Sequence, residues 1–356
     1  MSKLIQRRKK INAGMNGFGR FGLHMLKYWL DRRDEANFNI KYINDPFLTI
    51  DDALEIIKSD KAVNFFQYKF KIEEDNLLIS SPHALNNRKI IFTTQGNKEL
   101  NEINWVGQPE LVLECSGFHA EYSEEARETF ITNKTKNLVI SATAPGADKT
   151  LVYGFNHRDF NLDTDKVISY GSCTVNAFVP LAEWMNNTFG ILDAEVYVVH
   201  NVPGYKLKML KNQVLYRKEC TLEVVAPKLL EFLPSNRFFV DYVVCPFTNV
   251  SGITFCFGLK KEINKETFLA SFKESINTGY LNGLYGLEKV DVGDSNRYTC
   301  TPFSAVFTED NIKLRGNKIY LQGYFDTEAS TNRYYDLVDY ISNLQLKAVN
   351  EKKLLK

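Results

Sequence analysis

The stretch Ile11-Asn12-Ala13-Gly14-Met15-Asn16-Gly17-Phe18-Gly19-Arg20-Phe21-Gly22 decides how this chain is read. Ile11–Asn16 has the composition of a short strand, and the GxGxxG after it forces a tight turn. Leu23, Leu26 and Leu30 then recur at helical spacing. Phe38–Asn44 is the next strand, stopped by Asp45-Pro46. Alone, three glycines also suit a purely steric turn. In this context they gain meaning, because Asp45 stands 23 residues beyond Gly22, near the spacing of about 20 that a dinucleotide fold uses. Gly17 would admit the turn, Gly19 the approach of a pyrophosphate, and Gly22 close packing of helix on strand. The N–H groups around Phe18, Arg20 and Phe21 would face the phosphates. Asp45 would accept hydrogen bonds from ribose hydroxyls and repel a 2′-phosphate, favouring NAD over NADP.

Outward from this loop, the first half alternates strand and helix. Leu111–Cys115, the helical Tyr122–Thr132, Leu138–Ala142 and Lys166–Tyr170 follow in turn, the last running into Gly171-Ser172-Cys173. That order predicts an α/β fold with a Rossmann-type doubly wound parallel sheet. The second half is richer in aromatic and β-branched runs: Ala194–Val202, Phe238–Pro246, Val250–Leu259 and Lys318–Phe325. With helices over Thr174–Asn187 and Glu266–Ile276 between them, these predict an α+β catalytic domain on a mixed or antiparallel sheet. The expected division is an NAD-binding domain over 1–171, a catalytic domain over 172–327 and a C-terminal segment over 328–356. Within that segment Leu337, Val338, Ile341 and Leu344 mark a helix, expected to pack back on the first domain.

The 356 residues suggest about two domains. Forty-four basic residues against 43 acidic ones leave a charge of +1, without the basic excess that binds a phosphate backbone, so no nucleic-acid partner is expected. No apolar run is long enough for a membrane span, and the start lacks the apolar core of a secretory signal. Six scattered cysteines with no CxxC pair fit reduced thiols in a cytoplasmic protein, with no disulfide framework and no metal site.

Cys173 falls between a strand and a helix, so the helix dipole would favour its ionised sulfur. His200, at the end of the apolar run Val196–Val199, could stabilise that sulfur and serve as base. Spacing alone fits a buried inert thiol and a satisfied histidine at least as well.

Taken together, these motifs resemble the glyceraldehyde-3-phosphate dehydrogenase family. Asn16–Arg20 is similar to its dinucleotide loop, Ile43–Phe47 to its ribose turn, and Cys115-Ser116-Gly117 to the strand end beside the cofactor. Ser141 and Gly154–His157 also have counterparts. Ser172-Cys173-Thr174-Val175-Asn176-Ala177 resembles the nucleophile motif, and Asn249-Val250-Ser251 and Asn332-Arg333 extend the likeness towards the C-terminus. The resemblance implies NAD as cofactor, bound also by Ser116, Gly117, Ser141 and Thr327. It implies a small-molecule aldehyde substrate held by Ser172, Thr174 and Thr221, and a homo-oligomer. Cys173 would form a hemithioacetal, His200 would move the proton, and phosphate would release the oxidised thioester as an acyl phosphate.

Departures from the pattern keep other outcomes open. Pro203 and Tyr205 stand where hydroxyls are expected, and Val244 where a phosphate-binding arginine is expected. Lys206, Lys208, Lys211 and Arg217 read as a solvated loop, with replacement phosphate ligands as the alternative. The stretch from His200 to Thr221 is short for the family, which would weaken the usual tetramer contact. Thr327 replaces the asparagine that orients the nicotinamide. A non-phosphorylating relative, one using a different aldehyde, and an NAD-binding paralogue with a non-catalytic role are the alternatives.

Overall fold

The computed structural model describes residues 9–60, 62–81, 88–96, 99–202, 214–246, 250–326 and 330–354. Strand and helix alternate from the start: β1 (Ile11–Asn16), α1 (Arg20–Arg32), β2 (Phe38–Asn44) and α2 (Ile50–Ser59). Next come β3 (Lys69–Glu73), β4 (Asn76–Ser80), β5 (Arg88–Thr93), β6 (Leu111–Glu114) and α3 (Ser123–Phe130). β7 (Asn137–Ile140), β8 (Lys149–Thr150) and β9 (Val167–Ser169) complete one sheet in the order β3-β4-β5-β2-β1-β6-β7-β9-β8. From β5 to β8 the neighbours are parallel. β6 and β7 are buried at every position, as expected where both faces of a parallel sheet are covered. Strand order reverses at β1, between β2 and β6, and that switch point is where an open α/β sheet takes its ligand.

The antiparallel pairs β3–β4 and β4–β5 extend this sheet and have no counterpart in the sequence reading. β3 alternates exposed and half-buried residues in the run KFKIE, a strand pattern only five residues long; its charges suit an edge strand.

A second sheet is built from β10 (Ile191–His200), β11 (Tyr216–Arg217), β12 (Phe238–Val244), β13 (Val250–Leu259), β14 (Tyr285–Glu288), β15 (Ala305–Arg315) and β16 (Lys318–Asp326). Its order is β11-β12-β10-β13-β16-β15-β14. β10–β12 and β14–β15 are parallel and the other pairs antiparallel, a mixed sheet as expected. α4 (Cys173–Phe189), α5 (Thr221–Leu229) and α6 (Lys265–Asn277) accompany it. The core gathers around Phe178 of α4, whose ring lies 5.0–5.6 Å from those of Phe238, Phe255 and Phe257. Truncating such a ring costs about 3–5 kcal/mol, so α4, and with it Cys173, is firmly anchored.

The last helix, α7 (Thr331–Leu354), runs well past the Leu344 limit suggested by apolar spacing. Tyr334 donates to the Val139 carbonyl at 2.7 Å, and Gln345 to Asn137 Oδ1 at 2.6 Å. The first compact unit comprises the described residues of Met1–Leu151, Asp159–Tyr170 and Tyr334–Lys356. The second comprises those of Val152–Arg158 and Gly171–Arg333.

Candidate active site

The glycine loop is held by backbone geometry. Gly17 has φ +95°, and a Cβ there would collide with the backbone of Ser116; its N–H donates to the Asn44 carbonyl at 2.7 Å. A Cβ on Gly22 would strike the Gly17 carbonyl. Gly19 differs: beyond its chain neighbours, no atom of the described residues lies within 4 Å of where its Cβ would be. It caps α1 without a side-chain hydrogen bond, and no acidic residue occupies the first turn. The first N–H groups of a helix lack intrahelical partners and carry partial positive charge. The open space over Gly19 therefore fits a pyrophosphate.

Asp45 braces this loop. Its Oδ2 accepts from the Phe18 N–H at 2.8 Å and its Oδ1 from the Phe47 N–H at 3.0 Å. A carboxylate has further acceptor sites on both oxygens. The Phe18 ring is fully buried, edge-on to Phe92 at 5.9 Å, and Phe21 packs against Tyr170 and Tyr334. At both positions the side chain is a packing element, which leaves only the backbone for a ligand. Arg20 is engaged as well: its guanidinium pairs with Asp60 and meets His24 Nε2 at 3.1 Å. Asp60 had no signal in sequence, since it lies 40 residues away.

Beneath the loop, Asn44 Nδ2 donates to Asn16 Oδ1 at 2.8 Å, and Asn16 Nδ2 to Glu114 Oε2 at 2.7 Å. Glu114 is fully buried, and that burial pushes its carboxyl up, against the opposing pull of His119, Ser116 and Asn16. It receives both the N–H (2.8 Å) and the hydroxyl of Ser116. Ser116 thus shapes the turn that places Gly117 at φ +73°, with open space beside its Cα. The Ser141 N–H donates to the Glu114 carbonyl at 2.9 Å.

In the second unit, Cys173 is the first residue of α4. Ser172 caps the helix, its Oγ accepting from the Val175 N–H at 3.3 Å. Cys173 Sγ lies 3.5 Å from His200 Nε2, and both residues are half-buried. The other ring nitrogen, Nδ1, is 2.6 Å from the Asn201 carbonyl. A carbonyl only accepts, so Nδ1 carries a hydrogen, and in the neutral imidazole Nε2 presents its lone pair to the sulfur. Tyr242 and Phe325 flank the imidazole, at 5.2 and 5.7 Å between ring centres. Asn201 is fixed in turn by Ser251, whose Oγ accepts from its N–H and donates to its Oδ1, both at 3.0 Å. Only tertiary pairing brings Tyr242 and Ser251 to this histidine, so neither was assigned a role there from sequence.

Thr221 Oγ1 donates to Ser172 Oγ at 3.1 Å, and Thr174 Oγ1 lies 3.1 Å from the same oxygen. The three hydroxyls assigned to substrate therefore converge on the cap of α4. Thr221 is exposed, whereas Thr174 is buried and also faces Cys220 Sγ at 3.7 Å. Val244 is buried in the second unit's core, paired in register with His200. Arg217 is tied to Asp241 at 2.8 Å, an exposed pair. Thr327, Pro203, Tyr205, Lys206, Lys208, Lys211 and Asn249 lie outside the described residues. Among the described residues no cluster of His, Cys, Asp and Glu could hold a metal ion, and no helix is long and apolar enough to cross a membrane.

A glycine loop on a parallel α/β sheet, with an acid closing the second strand, is the arrangement of a dinucleotide-binding fold. Residues 11–122 match the family described as "Glyceraldehyde 3-phosphate dehydrogenase, NAD binding domain". Over 349 residues the chain is 26% identical to glyceraldehyde-3-phosphate dehydrogenase 4 of Caenorhabditis elegans, covering 94% of this chain and 98% of that one. It is 24% identical to glyceraldehyde-3-phosphate dehydrogenase 1 of Bacillus cereus, covering 93% and 98%. With the cytosolic enzyme of Ranunculus acris it shares 27%, covering 94% and 99%. Over most of its length the chain is thus similar to glyceraldehyde-3-phosphate dehydrogenases, and the match of residues 11–122 to an NAD-binding domain gives NAD as its cofactor.

Proposed function

We propose that this protein is an NAD-dependent aldehyde dehydrogenase that works through a Cys173 thioester. The observation that carries this is the 3.5 Å approach of Cys173 Sγ to the lone-pair nitrogen of His200 at the head of α4. His200 Nε2 takes the thiol proton, and the helix dipole favours the sulfur left behind. The sulfur bonds to the aldehyde carbon, and the former carbonyl oxygen gains a proton to give a hemithioacetal. His200 then holds the hydroxyl proton that must leave when this carbon is oxidised. Bound NAD supplies the two-electron acceptor for that oxidation, and the product on Cys173 is a thioester. Inorganic phosphate attacks the thioester carbonyl, the C–S bond breaks, and an acyl phosphate leaves with the sulfur restored. Gly19 and the first turn of α1 would take the pyrophosphate, and Asp45 the ribose hydroxyls. The same reading carries a homo-oligomeric protein of the cytoplasm.

A second reading, release by water or an aldehyde without phosphate, is favoured by one observation: Val244 supplies no cation and is sealed in the core. Purified protein with NAD, glyceraldehyde 3-phosphate or glyceraldehyde, and with or without phosphate, separates the two. NADH formation that depends on phosphate supports the acyl-phosphate route, and indifference to phosphate supports hydrolysis. No NADH with either aldehyde, together with no iodoacetate labelling of Cys173, would overturn both and leave an NAD-binding protein without this chemistry.

A further inference from the structure

Away from the glycine loop, the first unit contains a cavity of about 340 Å³ lined by Lys41, Lys89 and Lys134 with Asn12, Tyr42 and Gln108. The lysines come from three separate places: Lys41 from β2, Lys89 from β5, and Lys134 from the segment between α3 and β7. All three are exposed, and none makes an ion pair among the described residues. Like charges brought together without a counter-charge repel, so this arrangement favours an incoming anion. Even counting Glu110, whose carboxylate accepts from the Asn12 N–H at 2.7 Å, three cations stand against one anion.

The backbone aims one of these charges. Ala13 pairs with Ile40 and Gly14 with Tyr42, so Lys41 is the extra residue of a β-bulge. Bulges redirect a side chain and recur beside binding sites. The wall is fixed as well. The Tyr42 ring stacks on the buried Trp105 at 5.7 Å and 21°, and Trp105 in turn occupies the space a Cβ on Gly14 would need. Tyr42 also donates to Gln108 Oε1 at 3.2 Å, and Gln108 Nε2 to the Asn104 carbonyl at 2.9 Å. Two rigid polar groups and three mobile ammonium donors face one space of ligand size.

We propose that this cavity is a binding site for a small polyphosphate, a ligand carrying two or three linked phosphates, distinct from the dinucleotide site at the opposite end of β1. Three point charges from separate segments match linked phosphates better than a single one. The test is equilibrium dialysis of the full chain against inorganic phosphate, pyrophosphate or tripolyphosphate, with saturating NAD to occupy the glycine loop. Affinity is expected to rise at least tenfold from phosphate to tripolyphosphate and to fall as salt is raised. Lys89→Gln with Lys134→Gln should weaken tripolyphosphate at least tenfold, and adding Lys41→Gln should abolish binding. NAD affinity and melting temperature should not change, because these side chains are exposed. Absence of tripolyphosphate binding at millimolar concentration, equal affinity for the three anions, or undiminished binding by the triple variant would each overturn the assignment.

Discussion

The two helix heads to which the proposed reading assigns the chemistry are built in opposite ways. α1 begins on Gly19 with no side-chain cap, so its first N–H groups stay open for a charge brought from outside. α4 begins behind Ser172, whose hydroxyl takes the Val175 N–H, and places its own sulfur at the positive end. On the proposed reading the first is an anion site made of backbone. On that reading the second is a nucleophile, and its partner, His200, is delivered by a different strand and held by Asn201 and Ser251. One head depends on what is missing from its residues, the other on what distant residues add.

The sharpest way to separate them is at Cys173. Cys173→Ala should cut aldehyde oxidation by about 10³-fold or more, as loss of a covalent nucleophile does. NAD affinity, measured by titration, should stay within about twofold. A variant that lost NAD binding in step with turnover would break the distinction between the two heads.

Next in size comes the glycine loop itself. Gly17→Ala combines a positive φ with a collision against Ser116 and should lower stability by about 2–4 kcal/mol. Gly19→Ala meets no protein atom, so its urea midpoint should match the wild type. Its NAD affinity should nevertheless fall about tenfold or more, since a methyl would occupy space left for the pyrophosphate. Equal destabilisation by the two substitutions would mean that Gly19 serves the fold rather than the ligand.

A smaller effect should appear at Ser251. Ser251→Ala leaves the Asn201 N–H and Oδ1 without that hydroxyl, which should cost about 1–2 kcal/mol of stability. Because Asn201 holds the Nδ1 side of His200, kcat should drop by about tenfold and the acid limb of its pH profile should move. A stability loss with an unmoved pH profile would assign Ser251 to the fold alone.

This contrast also explains what the sequence made legible. The glycine loop, Asp45 and the parallel sheet could be read because each depends on neighbours in the chain or on a spacing fixed by one βαβ unit. The α4 head was readable as a helix start for the same local reason. The capture of Arg20 by Asp60, the bracing of the Ser116 turn by buried Glu114, and the flanking of His200 by Tyr242 and Phe325 all join residues that only tertiary pairing brings together. β3 escaped notice because its alternation, Phe70 and Ile72 between charged residues, runs for only five residues, too short to stand out. The direction of the Thr174 hydroxyl was not legible, because facing Cys220 depends on how α5 packs.

The smallest effect lies at the α1 head and concerns protons. His24 sits one turn behind Arg20, is almost wholly buried, and among the described residues its Nδ1 finds no hydrogen-bond partner. Burial first, and the Arg20 charge second, hold its pKa well below the ordinary 6.5. Between that depressed value and 6.5 the unfolded chain binds a proton that the folded chain refuses. Stability from this residue is therefore complete above pH 6.5 and is lost as pH falls below it, with a slope of at most about 1.4 kcal/mol per pH unit. Urea midpoints of wild type and His24→Leu, compared from pH 7.5 to pH 5, should run parallel above 6.5 and converge or cross below it. The difference between the two curves removes the contribution of the other histidines. If the curves stayed parallel throughout, His24 would take up its proton in the folded state, and the first turn of α1 would tolerate a second cation beside Arg20. The idea that this head is poised for one external anion would then lose its electrostatic support, while the α4 head would be untouched.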